Sequence, residues 1–433
     1  MKLDVRIEST KTVQPIYDDN HSHSSTFHLI PLSVFDKYTY NTHAARIFGY
    51  HPPTPPNATI EYGLTRVLSE YRVFAGRFGE DENGDPVIVL SDKGVKLVEA
   101  FVDCMLDQVP MVPSPALCGL YPSLNGVDDE LVAVQLTRFT CGSLVVGITV
   151  HHWVTDGNAL FKFLVDWGKV CRGIEISPLP LHDRTIFKPR NPPPFGFEHR
   201  GVKFIQTLLK DCPNNVEIVA EKVHFTTEFL SKIKAMTKPY STYASLVAHL
   251  WRVSTIARGL NGSETSHVIV SVNGRTRMTP RVPYEYIGNM VLWAFPSGKI
   301  NDILHDSMPD TAKVVHGAIA NLNNNYFQSF VDFATYKLGK EEVSPITEFS
   351  DNSMLSPNLE VLSWVHFPIH DVDFGGGSPF MMLPSYAPME GMIYLLPTAA
   401  KDGSIDALIF LFENNLSKFK QIVYSLDYSG SPL

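Results

Sequence analysis

The sequence predicts an α/β protein of two domains, on three observations. At 433 residues the chain exceeds what one ordinary hydrophobic core organises. Its 44% apolar and 19% charged residues are a globular composition, with ample material for buried sheets and helices. Strand-like runs alternate with helix-like ones, and a proline-dense stretch interrupts that alternation. We therefore read 1–180 as an N-terminal domain, 181–220 as a crossover linker and 221–433 as a C-terminal domain.

Each element has a local reason. Met1-Lys2-Leu3-Asp4-Val5-Arg6-Ile7 alternates polar and apolar residues as a strand does, and lacks the apolar core of a signal peptide. A polar loop with His21, His23 and His28 follows, whose histidines read as surface residues. From Pro56 to Phe78 the residues Ile60, Leu64, Val67 and Tyr71 share one helical face, with Asn57 as cap. Asn83-Gly84 marks a tight turn, which makes 77–100 a hairpin or meander. The β-rich runs 132–140 and 143–151, separated by Cys141-Gly142, predict a second hairpin ending on His151-His152. Beyond Gly157 the period changes, and Leu160, Phe161, Leu164, Val165 and Trp167 suit a buried helix. Prolines at 178, 180, 189 and 192–194 mark the crossover. Strands are then expected over 268–272, 290–294, 392–396 and 407–411, and helices over 242–258 and 416–426.

Charge and cysteine usage exclude several function classes. A net charge of −9 without a basic run does not suit a nucleic-acid partner, and permits a preference for cationic small molecules. Five scattered cysteines without CxxC spacing indicate neither a disulfide framework nor a zinc knuckle, and fit a reducing compartment. No apolar run approaches the ~18 residues that span a bilayer. A cytoplasmic protein without a membrane partner is expected.

The candidate chemistry lies where the second hairpin meets the buried helix, in His151-His152-Trp153-Val154-Thr155-Asp156-Gly157. Acyl transfer from a thioester needs a base for the acceptor's proton and then an acid for the leaving sulfur; one histidine, with an ordinary pKa of about 6.5, serves both. No metal is required. Asp156 could orient the imidazole of His152, or it could turn away and pin the loop on an arginine, Arg275 or Arg277. The second is preferred, because a tight strand-to-helix turn sends residues four apart to opposite sides. His-His followed by Asp also matches a metal site, and HxxxD recurs by chance. Adjacent side chains leaving a strand face opposite ways, so His151 reads as structural and His152 as the base. Asp371-Val372-Asp373-Phe374-Gly375-Gly376-Gly377 reads as a loop in which backbone closely approaches backbone or ligand; it has no phosphate-loop spacing.

Together these motifs resemble the BAHD family of plant acyl-CoA-dependent acyltransferases, marked by HxxxDG near the middle and DFGWG near the C-terminus. The resemblance spans essentially the whole chain and includes Asn273-Gly274-Arg275-Thr276-Arg277, Tyr286-Ile287-Gly288-Asn289 and Tyr240-Ser241-Thr242-Tyr243 ahead of Trp251-Arg252. It implies two similar chloramphenicol-acetyltransferase-like domains, each a mixed sheet flanked by helices, with a channel between them centred on His152. It implies that Asp156, with Gly157, supports the site by pairing with Arg275, and that the Asp373 loop is chiefly structural although Asp373 is sometimes given a catalytic role. The coenzyme A thioester is a substrate, so no cofactor is implied, and relatives are commonly monomeric. Two departures bear on the acceptor. Gly376 replaces the family's tryptophan, which puts oxyanion stabilisation by that residue in doubt. His366, in Trp364-Val365-His366, replaces an arginine that holds acceptor carboxylates in shikimate or quinate enzymes. The Asp-Phe-Gly-Gly-Gly variant is most similar to the branch that acylates amines such as agmatine, tryptamine or tyramine with hydroxycinnamoyl groups. Amide formation is therefore expected, with esterification of shikimate-like alcohols as the alternative and a binding protein without turnover as a third reading. Ser241, Thr242 and Arg252 are expected to meet coenzyme A. Trp364, His366 and Glu390 are expected to meet the acceptor, Glu390 holding a distal cation.

Overall fold

A computed structural model describes residues 3–17, 28–124, 129–194, 196–213, 216–337 and 353–427. His21 and His23 lie outside the described residues. The strands used below are β1 (Val5–Val13), β2 (His43–Tyr50), β3 (Val95–Val102), β4 (Val132–Phe139), β5 (Leu144–His151), β6 (Ile218–Phe225), β7 (Thr265–Asn273), β8 (Val291–Ala294), β9 (Leu359–Ser363), β10 (Met381–Pro384), β11 (Met392–Pro397) and β12 (Ile405–Phe412). The helices are α1 (Asn57–Glu70), α2 (Gly157–Cys171), α3 (Thr242–Ala257) and α4 (Met308–Asn321).

Two mixed sheets carry the molecule. The first runs β1-β3-β4-β5-β2-β10, with β3 and β4 parallel and the other pairs antiparallel. The second runs β6-β12-β11-β9-β7-β8, with β9 parallel to both of its neighbours, and Ser297–Lys299 pairs with β7 beyond β8. Strand β5 is buried along its whole length and is mostly apolar, with Thr149 and His151 the buried polar exceptions, as suits a strand covered on both faces. Leu160, Phe161, Leu164 and Trp167 of α2 are buried in the first core as their spacing predicts, Phe163 joins them, and Val165 is only partly buried. Trp251 and Leu250 of α3 anchor the second.

The halves of the chain are not confined to their own sheets. β10 comes from the C-terminal half yet pairs with the β2 edge in register Met381↔Gly49 to Pro384↔Arg46. It closes an edge that would otherwise present unpaired backbone groups. Trp364, Ile369, Val372 and Phe374 likewise pack into the first core, whereas Phe35 and Tyr38 pack into the second.

Element boundaries differ from expectation in one informative place. The helix expected over 56–78 stops at Glu70, and the next turn, Arg72–Ala75, leads into a strand at Arg77–Glu80. Asn57 is the first helical residue and does not cap. Its amide instead donates to Glu99 at 2.8 Å and accepts from Arg138 Nε at 2.8 Å. Among the described residues no helix is long and apolar enough to cross a membrane.

Candidate active site

β5 delivers its last residue, His151, into the first core, and the next residue turns the other way. His151 packs against His43 and Phe78, both at 4.7 Å between ring centroids, and its Nδ1 accepts from the Trp153 amide at 3.2 Å. Burial pushes its pKa down to about 3, so it is a neutral packing group. His152 is half-buried. Its Nδ1 lies 3.4 Å from Thr39 Oγ1, and Tyr40 stands edge-on to the ring at 5.9 Å. With Nδ1 so engaged, Nε2 is the nitrogen left to exchange a proton with a substrate. Burial first, and the nearby Arg46 cation second, lower the His152 pKa below its ordinary value. The ring is therefore neutral, and able to act as a base, at neutral pH.

Asp156 does not reach the imidazole. It caps α2 by accepting from the Ala159 amide at 2.9 Å. It also accepts from Arg275 Nη1 at 2.7 Å, Arg275 Nη2 at 3.2 Å and the Met290 amide at 2.9 Å. Both oxygens are thus occupied on the side away from His152. Arg275 binds the carbonyls of Tyr286 and Gly288 as well, whereas Arg277 is spent on the carbonyls of Ile319 and Leu322 at the end of α4. Gly157 is required for space: a Cβ there would stand 2.7 Å from the Phe367 ring.

A second buried ion pair, which sequence reasoning missed, holds the same turn from the other side. Asp36 pairs with Arg184 Nη1 at 2.8 Å, both side chains being essentially inaccessible. Arg184 also donates to the Trp153 and Val154 carbonyls. Asn289 joins the parts: its amide side chain donates to Asp36 and to the His152 carbonyl, each at 2.8 Å. The signal for Asp36 was the Ser33-x-x-Asp36 capping box, whose acid is buried where a surface helix would expose it.

The other side of the site comes from the second sheet. Trp364, expected near the acceptor, is buried with its ring 5.0 Å from Tyr394, and the Arg46 guanidinium lies 4.8 Å above it. Glu360, four residues earlier on β9, was also missed. It is 2% exposed beside Tyr40, its Oε2 has no hydrogen-bond partner among the described residues, and burial raises its pKa to about 7.

Six expected residues lie elsewhere. Glu390 is fully buried in a two-pronged pair with Arg258 at 2.7 and 2.9 Å, so it holds an internal cation and not an acceptor's. His366 is exposed on the loop after Trp364. Arg252 is 1% exposed, and its guanidinium donates to the Ile303 and Asp306 carbonyls and to Thr311, which removes it from a phosphate's reach. Ser241 and Thr242 open α3, Ser241 exposed and accepting from the Ala244 amide at 3.2 Å, about 15 Å along the helix from Arg252. Asp373 accepts from the Gly375 and Gly377 amides, each at 2.8 Å, and pairs with Arg172 at 3.4 Å. Its carbonyl lies against Gly168, three turns of α2 away from the His152 end. The backbone at Gly376 is pressed against Pro53, where a Cβ would stand 2.5 Å from the carbonyl oxygen. Among the described residues no group of His, Cys, Asp and Glu could hold a metal ion.

The model of the Transferase family matches residues 3–426. Agmatine hydroxycinnamoyltransferase 1 of Oryza sativa subsp. japonica is 42% identical, over 98% of this chain and 99% of that protein. Agmatine coumaroyltransferase-1 of Hordeum vulgare is 41% identical, over 98% and 100%. Tryptamine hydroxycinnamoyltransferase 2 of rice is 35% identical, over 92% and 93%. The crystal structure of vinorine synthase superposes with a TM-score of 0.70 at 22% identity, covering 96% of each chain. That of F. graminearum TRI101 complexed with coenzyme A and T-2 mycotoxin gives 0.71 at 18%, covering 91% and 97%. These two establish the fold. With the family model spanning nearly the whole chain and relatives above 40% identity at full length, the chain belongs to the Transferase family, that of the BAHD acyltransferases.

Proposed function

We propose that this enzyme transfers an aromatic acyl group of hydroxycinnamoyl type from coenzyme A to a small primary amine such as agmatine, putrescine or tryptamine, forming an amide. The observation that carries the reading is His152: a neutral imidazole with Nε2 open, fixed by two buried ion pairs at a strand-to-helix turn. The relatives named for agmatine, putrescine and tryptamine support the acceptor class.

The free amine nitrogen attacks the thioester carbonyl carbon, and His152 Nε2 takes its proton as the C–N bond forms. The C–S bond then breaks, and the imidazolium returns that proton to the leaving sulfur, giving the amide and coenzyme A. A primary ammonium of pKa about 10 must lose a proton before attack. Glu360 supports this amine reading, because a buried carboxylate with an open oxygen suits an ammonium or guanidinium group entering beside Tyr40. The thioester is a substrate, and one histidine acting as base and then acid calls on no cofactor. We place the reaction in the cytoplasm on a monomer.

Purified protein incubated with coumaroyl-CoA and a panel of agmatine, putrescine, tryptamine, tyramine and shikimate tests the reading. Amides of at least one amine are expected; esters without amides would overturn it.

A further inference from the structure

Arg46 occupies a position that the fold does not explain. It lies on β2 opposite Ile148 of β5, and it is 7% exposed. Among the described residues its Nε has no hydrogen-bond partner and no carboxylate forms an ion pair with it; the Trp364 ring lies 4.8 Å from the guanidinium, and the titratable groups that feel its charge, Tyr394 and His152, are both uncharged at neutral pH. The other arginines around the turn differ: Arg184 and Arg275 each have a carboxylate and backbone carbonyls. A buried cation left unpaired destabilises a fold by several kcal/mol, so a retained one points to a partner that arrives with the substrate. Burial brings the Arg46 pKa down to about 10, which still leaves it charged at neutral pH.

The partner must be an oxygen. An amine acceptor is itself cationic and is repelled by a guanidinium, and Glu360, which does not pair with Arg46, is the acid available to it. In an acyl transfer at His152, the oxygen that must be present there, whatever the acyl chain or acceptor, is that of the thioester carbonyl. Gly376, where the family's tryptophan could serve that oxygen, is packed on Pro53 away from the imidazole.

We propose that Arg46 is a catalytic residue that donates a hydrogen bond to the thioester carbonyl oxygen and stabilises the negative charge that collects there. When the amine nitrogen bonds to the carbonyl carbon, the C=O π pair moves to oxygen beside the guanidinium while His152 takes the nitrogen's proton. When the C–S bond breaks, the pair returns to remake C=O, and His152 protonates the sulfur. The guanidinium gains no proton and loses none; it interacts more strongly with the oxyanion than with the ground-state carbonyl, which is what lowers the barrier.

This role rests on the acyl-transfer reading, so the test scores the two separately. Wild type, R46M, R46Q and R46K are assayed with coumaroyl-CoA and agmatine for kcat and both KM values, and their melting temperatures are compared. The role predicts that R46M and R46Q lower kcat about 100-fold with each KM within about threefold, that R46K recovers part of the loss, and that melting temperature holds or rises. Unchanged kcat with a raised agmatine KM would overturn it in favour of acceptor binding. A fall in melting temperature of R46M and R46K together would overturn it in favour of a structural arginine. Absence of wild-type turnover across the acyl-CoA and amine panel would defeat the acyl-transfer reading, and this role with it.

Discussion

His152, Asp156 and Glu360 show how environment assigns roles to residues of similar type. Asp156 is four positions from the base yet has both oxygens filled by Arg275, Ala159 and Met290, so its work is to hold the turn. Replacing it by Asn removes one partner of a buried pair and leaves Arg275 uncompensated. Asp156→Asn should therefore cost about 3–5 kcal/mol in chemical denaturation. Glu360 keeps an oxygen open beside Tyr40. Glu360→Gln should raise the KM for agmatine at least tenfold while the KM for coumaroyl-CoA stays within about twofold; equal changes in both would remove it from the acceptor side. The pairing of Asp156 with Arg275 could be anticipated because turn geometry and a nearby Asn-Gly-Arg-Thr-Arg run are local in sequence. Glu360 and Glu390 could not be told apart that way. They are two acids in similar apolar surroundings, and only the tertiary structure supplies one with Arg258 and leaves the other open. Arg252 misled for the same reason, since helical spacing does not reveal that the Ile303 and Asp306 carbonyls and the Thr311 hydroxyl close over its guanidinium.

Among the elements, α2 links the two motifs that mark the family. Its first turn is capped by Asp156, and its last turns carry Gly168 and Arg172 against the Asp373 loop. The loop is built by its own contacts: Asp373 binds the amides of Gly375 and Gly377, both with positive φ (116° and 97°), a backbone region that glycine enters without strain. Gly376 is set by proximity to Pro53. Gly376→Trp should lower stability by about 1–3 kcal/mol through overpacking against 53–55, measured by denaturation, with kcat per folded enzyme unchanged to within about twofold. A large fall in kcat in a stable variant would place the loop in the reaction. The hairpin ending at His151 and the helix after Gly157 were legible because two β-rich runs split by Cys141-Gly142 give way within a few residues to a 3.6-period pattern. The β10 strand was not, since four residues, Met-Met-Leu-Pro, carry no period long enough to read and pair with a strand more than 300 positions away.

For the whole molecule, the two sheets share their residues across the crossover, so the site cannot be assigned to one half of the chain. β10 and Trp364 enter the first half's sheet and core, and Arg184 of the crossover pins the turn that carries His152. One consequence is a collective dependence on pH. Burial lowers the pKa of His151 to about 3 and those of His182, His199 and His249 to about 4. Unfolded histidines, at about 6.5, bind protons that these folded ones refuse, so stability is fully present above about pH 6.5 and falls as pH drops toward 4, by about 1.4 kcal/mol per unit for each group. Glu360, raised to about 7, works in the opposite sense, since the folded state binds its proton more tightly. Four histidines outweigh one acid. Urea midpoints should therefore fall between pH 6.5 and 4.5; a flat or rising profile would contradict the neutral, buried state of these rings.

In the proposed reaction His152 carries the proton and does not hold the fold. The direct measurement is the kcat of His152→Ala with coumaroyl-CoA and agmatine, beside binding of the thioester and the melting temperature of the same protein. The structure predicts a loss of about 10²–10⁴ in kcat with thioester binding and folding retained. Wild-type turnover in that variant would contradict it.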